Sequence, residues 1–297
     1  KIAKNEYEVK VLYRLSDFLL FCASHLFYRK EKNVCTDCLK TKWYALKYRC
    51  VKDSLLASIF RVLQMKTIQY NKWFESVDTF ICPSLIMKKH LIQGGINPSK
   101  VKFIPTFTTD ICNNSAPNSN HKPYILYFGI IREIKGVEIL VRAFNKLNEP
   151  KIHLRMVGFV ESTYKDMLLD LLDMNHKKLI EFIPPQQGYS LIETIRNSLF
   201  IIHPALCLEN MPNSVLEAMS AGKPIIASNL GSLTEIVQDG KNGLLFPPGD
   251  TDSLAKCIES LSSSPNQIKK MGSKSRLLYQ QKYTESIHIE KIESLFL

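Results

Sequence analysis

The chain contains 297 residues, of which 45% are hydrophobic and 23% are charged. This length and composition are typical of a globular protein with two domains of ordinary size. The sequence contains no run of eighteen or more apolar residues, so we expect no transmembrane helix, and no secretory signal is visible at its start. Because the first residue is Lys1 rather than Met, we expect the natural beginning to lie upstream.

Positive charge is concentrated in the first part of the chain. Residues 1–121 contain 19 Lys and Arg against 9 Asp and Glu, whereas residues 122–297 contain 20 against 19, and the net charge is +11. A basic region suits an anionic membrane leaflet, a nucleic acid or an acidic substrate. No nucleic-acid motif accompanies it, so we retain two interpretations: a solvated basic face and a surface that docks on a membrane.

The first part, residues 1–112, contains a short series of predicted strands and helices. The apolar runs that predict strands lie at 9–15, 77–82 and 101–104. The patterns that predict helices lie at 53–70 and 84–93. Strands that alternate with helices of this length indicate a parallel sheet.

Four of the eight cysteines lie close together in this first part. They are Cys22, Cys35, Cys38 and Cys50. The Cys35-x2-Cys38 spacing suits two ligands of one tetrahedral zinc ion, and the outer two cysteines can complete the set. Free buried thiols are the alternative, and the sequence leaves both interpretations open.

A polar segment at 113–121 predicts a linker, because it has no hydrophobic period and is rich in turn formers. A second domain is predicted over 122–283. Its strands are predicted at 124–128, 152–157, 179–183, 199–203, 224–227 and 243–246, with helices at 137–147 and 164–174. This alternation predicts a Rossmann-like α/β domain, whose ligands bind at the carboxyl ends of the strands.

Two glutamates, Glu209 and Glu217, lie eight residues apart around a predicted helix start. Pro212 suits the first position of a helix, and the N–H groups of Asn213, Ser214 and Val215 are then expected to be unpaired. Such a helix start favours a phosphate group. One carboxylate on each side is suited to accept hydrogen bonds from hydroxyl groups. A ligand with a central phosphate and hydroxyls at both ends is a nucleotide sugar.

Four stretches in this order resemble the donor-binding domain of the retaining glycosyltransferases of family 4, which have the two-domain GT-B fold. They are residues 127–136, 209–217, 218–228 and 239–246. The resemblance implies two Rossmann-like domains with parallel sheets, of which the first is partial here. It also implies that 284–297, which has the apolar spacing of an amphipathic helix, crosses back to the first domain.

The resemblance implies a role for each candidate residue. The catalytic candidates are Glu209, which would hold hydroxyls of the donor sugar, and Lys135 and Arg132, which would stabilise the leaving diphosphate. The donor-binding candidates are Glu217 for the ribose hydroxyls, Asn213 and Ser214 for the distal phosphate, and Pro212, Gly129 and Gly231 for the shape of the site.

Two positions depart from the family pattern. Many members carry an arginine directly after the glycine, where this chain has Ile130, and Arg132 follows two positions later. Many members also carry a histidine that touches the donor sugar, where this chain has Ser16. The glycine-rich turn of the usual first domain is not found. These departures make the sugar type and the activity less predictable than the fold.

The resemblance implies a metal-independent enzyme that transfers a sugar from a UDP- or GDP-linked donor with retention of configuration. The expected acceptor is a bacterial envelope glycan, such as a capsule, lipopolysaccharide or O-antigen chain, or a lipid-linked oligosaccharide. We expect a cytoplasmic protein, peripheral on the inner face of the membrane if the basic part docks there. The expected partners include no nucleic acid.

Three other functions remain open. The chain could be a non-catalytic or split-subunit partner that binds the nucleotide sugar for another glycosyltransferase chain, as its short first domain suggests. A GT-B epimerase is disfavoured by the context of the two glutamates. Binding of nucleic acid by the basic first part would show steep salt dependence.

Overall fold

The computed structural model describes residues 9–29, 33–112, 122–148 and 151–297. The chain divides into two compact units, the first made of the described residues up to 105 together with 207–211, and the second of 106–206 and 212–297. The predicted linker at 113–121 lies outside the described residues. The predicted domain boundaries therefore stay a prediction.

The first unit contains a parallel sheet and a small antiparallel pair. Its strands are β1 (Leu12–Arg14), β2 (Tyr28–Arg29), β3 (Asn33–Val34), β4 (Thr79–Cys82) and β5 (Val101–Phe103). Among the described residues the parallel sheet has the order β1-β4-β5, and β2 pairs with β3. The strands predicted at 9–15, 77–82 and 101–104 are present with shorter ends. All four residues of β4 are buried, because this strand is central in the sheet.

Serine side chains cap the two longer α-helices described in the first unit. The helices of this unit are α1 (Asp37–Lys40), α2 (Tyr44–Lys47), α3 (Leu55–Tyr70) and α4 (Leu85–Gln93). The hydroxyl of Ser54 accepts a hydrogen bond from the N–H of Ala57, and that of Ser84 accepts one from Met87. These contacts satisfy N–H groups that a helix start leaves unpaired.

The second unit contains a six-stranded parallel sheet among its described residues. Its strands are β6 (Tyr124–Phe128), β7 (His153–Val157), β8 (Ile180–Ile183), β9 (Ile201–His203), β10 (Ile225–Ser228) and β11 (Gly243–Phe246). Their order is β11-β10-β9-β6-β7-β8. β6, β9 and β10 are buried throughout, as expected for strands that helices cover on both faces. The prediction of an α/β fold with parallel sheets is confirmed.

Helices connect and cover these strands. They are α5 (Val137–Asn145), α6 (Ser162–Asp170), α7 (Met174–Lys177), α8 (Gly188–Asn197), α9 (Asn213–Ser220), α10 (Leu233–Ile236), α11 (Thr251–Ser262), α12 (Pro265–Lys282) and α13 (Glu285–Glu293). Val137, Leu140, Val141 and Phe144 of α5 are buried in the core of the second unit. Their spacing of three and four residues places them on one face of the helix.

The helix predicted at 164–174 is two helices in the structure, α6 and α7. The break occurs at Asp173, whose Oδ1 accepts hydrogen bonds from the N–H groups of Asn175 and His176. Asp173 is therefore an N-cap with extended backbone and cannot continue α6. The prediction of one continuous helix was wrong here, because it followed the apolar spacing and did not recognise Asp173 as an N-cap.

The C-terminal stretch predicted as a helix forms α13, which lies in the second unit. The ring of His288 in α13 lies 4.9 Å from that of Phe107, between centroids, within the same unit. The predicted return of this helix to the first domain stays a prediction. In the part of the chain that the structure describes, no helix is both long and apolar enough to cross a membrane.

Candidate active site

The strand order of the second unit reverses between β6 and β9. The chain runs from β6 outward to β7 and β8, then returns to β9 and runs the other way to β10 and β11. In parallel α/β sheets, a ligand crevice forms at the carboxyl ends of the strands at such a switch point. Gly129 and Lys135 follow β6, Asn213, Ser214 and Glu217 follow β9, and Gly231 follows β10. The topology therefore brings these predicted residues to three adjacent strand ends.

The loop after β6 begins at a glycine with left-handed backbone. Gly129 has φ of 136°, and its N–H donates to the carbonyl of Val157 at 2.9 Å. A Cβ on the facing Gly158 would lie 1.8 Å from the carbonyl oxygen of Gly129. The two loops therefore approach closely because Gly158 carries no side chain.

Hydrogen bonding holds the loop after β6 against the segment after β9. The N–H of Leu206 donates to the carbonyl of Ile134 at 3.0 Å. A Cβ on Gly136 would lie 1.8 Å from the carbonyl oxygen of Pro204. Lys135, which lies between these contacts, is thereby positioned at the switch point and is half-buried.

Arg132 precedes the short 3-10 helix Glu133–Lys135 and is exposed. Because Arg132 is exposed, its side chain is held in place less firmly than that of the half-buried Lys135. The structure thus places both predicted cations on one loop. Their contact with a diphosphate stays a prediction.

The helix start that follows β9 differs from the prediction by one residue. Pro212 is the N-cap rather than the first helical residue, and its carbonyl accepts a hydrogen bond from the N–H of Val215 at 3.1 Å. Val215 is therefore not the free donor that the sequence predicted. Within the described ranges, the N–H groups of Asn213 and Ser214 have no hydrogen-bond partner. Two donors remain available at the positive end of α9.

Glu217 lies one turn inside α9 and is partly buried. Burial raises the pKa of its carboxyl above the usual value for glutamate. No hydrogen bond or ion pair to this carboxylate is found among the described residues. A partly desolvated carboxylate without a protein partner is suited to accept hydrogen bonds from ligand hydroxyls.

His203 is a residue of this site that the sequence analysis did not include. It ends β9, it is buried, and its Nδ1 lies 3.4 Å from the Oγ of Ser214. This contact orients the hydroxyl at the start of α9. In the sequence, only its position could have indicated this role, because His203 is the last residue of the strand that precedes the start of α9.

Gly231 follows β10 with φ of 56°, which a glycine adopts most readily. Its carbonyl accepts a hydrogen bond from the hydroxyl of Thr234 at 2.9 Å. The glycine is therefore explained by a turn that leads into α10. Contact with a ligand stays a prediction.

Glu209 lies in the segment 207–211, which belongs to the first unit. The neighbouring Asn210 holds this segment at the carboxyl ends of β1 and β4. Its Nδ2 donates to the carbonyl of Leu15, and its Oδ1 accepts from the hydroxyl of Ser84, both at 3.1 Å. Asn210 was not among the predicted site residues, although it directly follows Glu209.

The four clustered cysteines are free thiols in the first unit. Cys22 and Cys38 are buried, and burial raises the pKa of Cys38 to about 11 and that of Cys50 to about 12. Without a bound cation, burial therefore keeps these two thiols protonated at neutral pH. No group of three or more His, Cys, Asp or Glu side chains in the described residues is arranged to hold a metal ion. Zinc binding by the four cysteines therefore stays a prediction.

Comparison with known proteins identifies a family. Residues 112–278, more than half of the chain, match the family model described as "Glycosyl transferases group 1". An uncharacterized glycosyltransferase of Methanocaldococcus jannaschii is 28% identical over 180 residues, which cover 59% of this chain and 45% of that protein. A D-inositol 3-phosphate glycosyltransferase of Nocardia farcinica is 27% identical over 51% of this chain and 35% of its own length. The chain thus spans less than half the length of these curated relatives.

A solved structure shares the fold over nearly the whole chain. HepE of Anabaena, crystallised with UDP, superposes with a TM-score of 0.73 at 18% identity, over 99% of this chain and 74% of that one. This likeness confirms the predicted GT-B fold. The part of HepE without a counterpart here amounts to about a quarter of its length.

Proposed function

This chain belongs to the glycosyl transferases of group 1, and we propose that it transfers a sugar from a nucleoside diphosphate donor to a glycan or lipid-linked acceptor of a bacterial envelope. The observation that carries the proposal is the start of α9. Two unpaired N–H groups, on Asn213 and Ser214, lie one turn before the partly buried carboxylate of Glu217. HepE, which shares the fold, was crystallised in complex with UDP. This supports UDP as the first nucleotide to test.

In the proposed reaction, the bond between the anomeric carbon and the β-phosphate oxygen breaks while the acceptor oxygen bonds to that carbon. The acceptor proton passes to the departing phosphate oxygen on the same face of the sugar, so configuration is retained and no metal is required. Charge that develops on the diphosphate would be stabilised by the start of α9, by Lys135 and by Arg132. Glu217 would hold the ribose hydroxyls, and Glu209 the hydroxyls of the donor sugar.

Calorimetry with UDP, GDP, ADP and their common sugar conjugates tests the donor site. We expect selective binding to one base, weakened about tenfold or more in Glu217→Ala because charge-assisted hydrogen bonds are lost. Glu259→Ala is the matched control, because Glu259 is an exposed glutamate on the outer helix α11. Equal loss of affinity in both variants, or none in either, would contradict the assigned role of Glu217.

A split-subunit partner is the second candidate. It is favoured by Ser16, which stands where many relatives carry a histidine that touches the donor sugar. This candidate predicts donor binding without turnover. Release of the nucleoside diphosphate from the preferred donor distinguishes the transferase from the non-catalytic partner. The assay is run with the chain alone and again with extracts of envelope glycolipids as acceptors. Turnover by the purified chain would eliminate the partner function.

A further inference from the structure

A cleft of about 660 Å³ lies at the amino ends of β9 and β10 in the second unit. Leu199 and Pro224, which precede these two strands, form part of its lining, and residues of α12 complete it. The candidate donor site is built at the carboxyl ends of the same sheet. The cleft is therefore separate from that site, and its volume lies in the range of small-molecule sites.

Two glycines bring α12 close to the turn that ends α9. A Cβ on Gly272 would lie 2.3 Å from the carbonyl oxygen of Gly222. Both glycines line the cleft, and because neither has a side chain, this close contact does not fill it. The space between α12 and the ends of the two strands is thereby left open to a ligand.

Helix α12 carries a local excess of positive charge. Its 18 residues include five Lys and Arg and no Asp or Glu. Residues 122–297 as a whole contain 20 Lys and Arg against 19 Asp and Glu, so this excess belongs to the helix and not to the whole domain. Lys269 and Lys274 line the cleft, whereas Lys270 and Lys282 do not. None of the described residues that line the cleft is acidic.

Arg276 also lines the cleft, but its charge is already paired. Its guanidinium donates to the Oδ1 of Asp110 at 2.7 Å and to the carbonyl of Ser220 at 2.7 Å. The situation of the two lysines is different. Within the part of the chain that the structure describes, neither Lys269 nor Lys274 has a carboxylate partner. Their charges are therefore available to a ligand.

A third lysine lines the cleft from the ends of the strands. The Nζ of Lys223 donates to the carbonyl of Ser198 at 2.7 Å, and no other partner of this amine is found among the described residues. Two of its three N–H donors therefore remain. Burial, and then the charge of Arg196, lowers the pKa of Lys223 to about 8. Arg196 itself pairs with Glu193 at 2.8 Å, so no carboxylate offsets the charge of Lys223.

We propose that this cleft binds a small soluble ligand that carries phosphate. Lys223, Lys269 and Lys274 would surround the phosphate, and Leu199 and Leu277 would contact the uncharged part of the ligand. Three ammonium groups without carboxylate partners favour a ligand with more than one negative charge. An anion beside Lys223 would also offset the cost of burying its ammonium group. The inference does not rest on the proposed sugar transfer.

The concave shape favours a small ligand over a bilayer or a nucleic acid. Either of these presents a broad anionic surface, which contacts exposed cations wherever they lie on a helix. Such a partner would not distinguish Lys269 from the adjacent Lys270, because both are exposed and only the first lines the cleft. A small anion inside the cleft would distinguish them, and this difference provides the test.

Calorimetric titration with inorganic pyrophosphate in the presence of saturating UDP tests the inference. UDP occupies the proposed donor site, so the remaining heat reports binding elsewhere. We expect one pyrophosphate per chain. The double variant Lys269→Glu, Lys274→Glu should weaken this binding about tenfold or more, because two charge-assisted contacts become repulsive.

The double variant Lys270→Glu, Lys282→Glu is the matched control. It changes the net charge by the same amount on the same helix, and neither side chain lines the cleft. Pyrophosphate affinity should be nearly unchanged in this control. All four substituted side chains are exposed, so the thermal midpoints of both double variants should match that of the original chain.

Lys223→Met tests the third lysine, because methionine removes the charge and keeps an unbranched side chain. This variant should also weaken pyrophosphate binding. Its thermal midpoint is measured separately, since the carbonyl of Ser198 loses its donor. The exposed double variant keeps the test valid if Lys223→Met does not fold.

Three results would overturn the inference. Pyrophosphate could fail to bind, or both double variants could weaken binding equally, which would show a solvated basic face without a built site. Anionic vesicles could bind through Lys269 and Lys274 while pyrophosphate does not, which would assign these cations to lipid headgroups. UDP affinity is measured in the same experiments. Loss of UDP binding with intact pyrophosphate binding would contradict the proposed function and support the separate cleft.

Discussion

At the scale of single residues, the central feature is the carboxylate of Glu217, which is partly buried without a partner among the described residues. Burying a charge without compensation opposes folding. Such an arrangement is typical of a binding site, where the ligand supplies the missing hydrogen bonds. The residue therefore links the stability of the second unit to its proposed function.

Replacing Glu217 by Gln should affect binding and stability in opposite directions. Loss of the charge should weaken nucleotide binding about 10- to 100-fold, because hydrogen bonds to a charged acceptor contribute about 1.5–3 kcal/mol. The free energy of unfolding at neutral pH should be unchanged or increased, because the buried charge is gone. Calorimetry and denaturant titration measure the two quantities. A large loss of stability would indicate a structural role instead.

The raised pKa of Glu217 also predicts a pH dependence. In the folded chain the carboxyl binds its proton more tightly than in the unfolded chain, so its contribution to stability decreases as pH rises through the raised pKa. Nucleotide binding should show the opposite trend, because the carboxylate accepts hydrogen bonds only when ionised. Affinity should therefore fall as pH is lowered through this pKa. Parallel pH profiles for the original chain and Glu217→Gln would contradict this assignment.

Substitution of the two cations should separate their importance. Lys135→Ala should lower the rate of nucleoside diphosphate release about 10²–10³-fold, because a fixed positive charge would stabilise the leaving group. Arg132→Ala should have a smaller effect, because Arg132 is exposed and Lys135 is held between Ile134 and Gly136. Lys256→Ala, on the outer helix α11, is the control. Equal rates for all three variants would exclude both cations from the mechanism.

At the scale of elements, helix α9 ends in a glycine-dependent turn. Gly222 has φ of 68°, its N–H donates to the carbonyl of Met219, and the N–H of Lys223 donates to that of Ala218, each at 2.9 Å. These two bonds define a Schellman motif. The Gly222-Lys223-Pro224 run favours this helix end, since glycine adopts the left-handed turn readily and proline prevents continuation of the helix.

Alanine at Gly222 and at Gly272 should destabilise the chain for different reasons. A Cβ on Gly222 would approach Gly272 no closer than 3.6 Å, so Gly222→Ala should cost about 1 kcal/mol from backbone strain alone. A Cβ on Gly272 would lie 2.3 Å from the carbonyl oxygen of Gly222, so Gly272→Ala should cost more, about 1–3 kcal/mol. Denaturant unfolding of both variants checks the order. The reverse order would refute the steric argument.

At the scale of the whole molecule, the state of the eight cysteines can be tested by counting free thiols and bound zinc. All eight are free in the structure, and the described residues contain no arrangement of side chains for a metal ion. We therefore expect no bound zinc in the purified, folded chain. After unfolding, we expect eight titratable thiols. Metal analysis by mass spectrometry together with thiol titration measures both. A zinc content close to one per chain would restore the zinc site predicted from the cysteine spacing.

Local sequence patterns determined most of the elements that build the candidate site. Apolar runs identified β6, β9 and β10, because strands buried on both faces are continuously hydrophobic. The run from Glu209 to Glu217 identified the start of α9 to within one residue, because proline favours the first turn of a helix. Both signals come from residues close together in sequence, and neither depends on long-range packing.

Tertiary structure decided which groups are available for chemistry. The hydrogen bond from Val215 to Pro212 removed one predicted donor, and the packing of β9 brought His203 beside Ser214. The cysteine spacing left zinc binding and free thiols both open, and the described residues contain no group of three or more His, Cys, Asp or Glu side chains arranged for a metal ion. The helix predicted at 53–70 carries Leu56, Phe60 and Leu63, which are exposed in the structure. Periodicity reports which side of an element is apolar, whereas only the packed chain determines whether that side is covered.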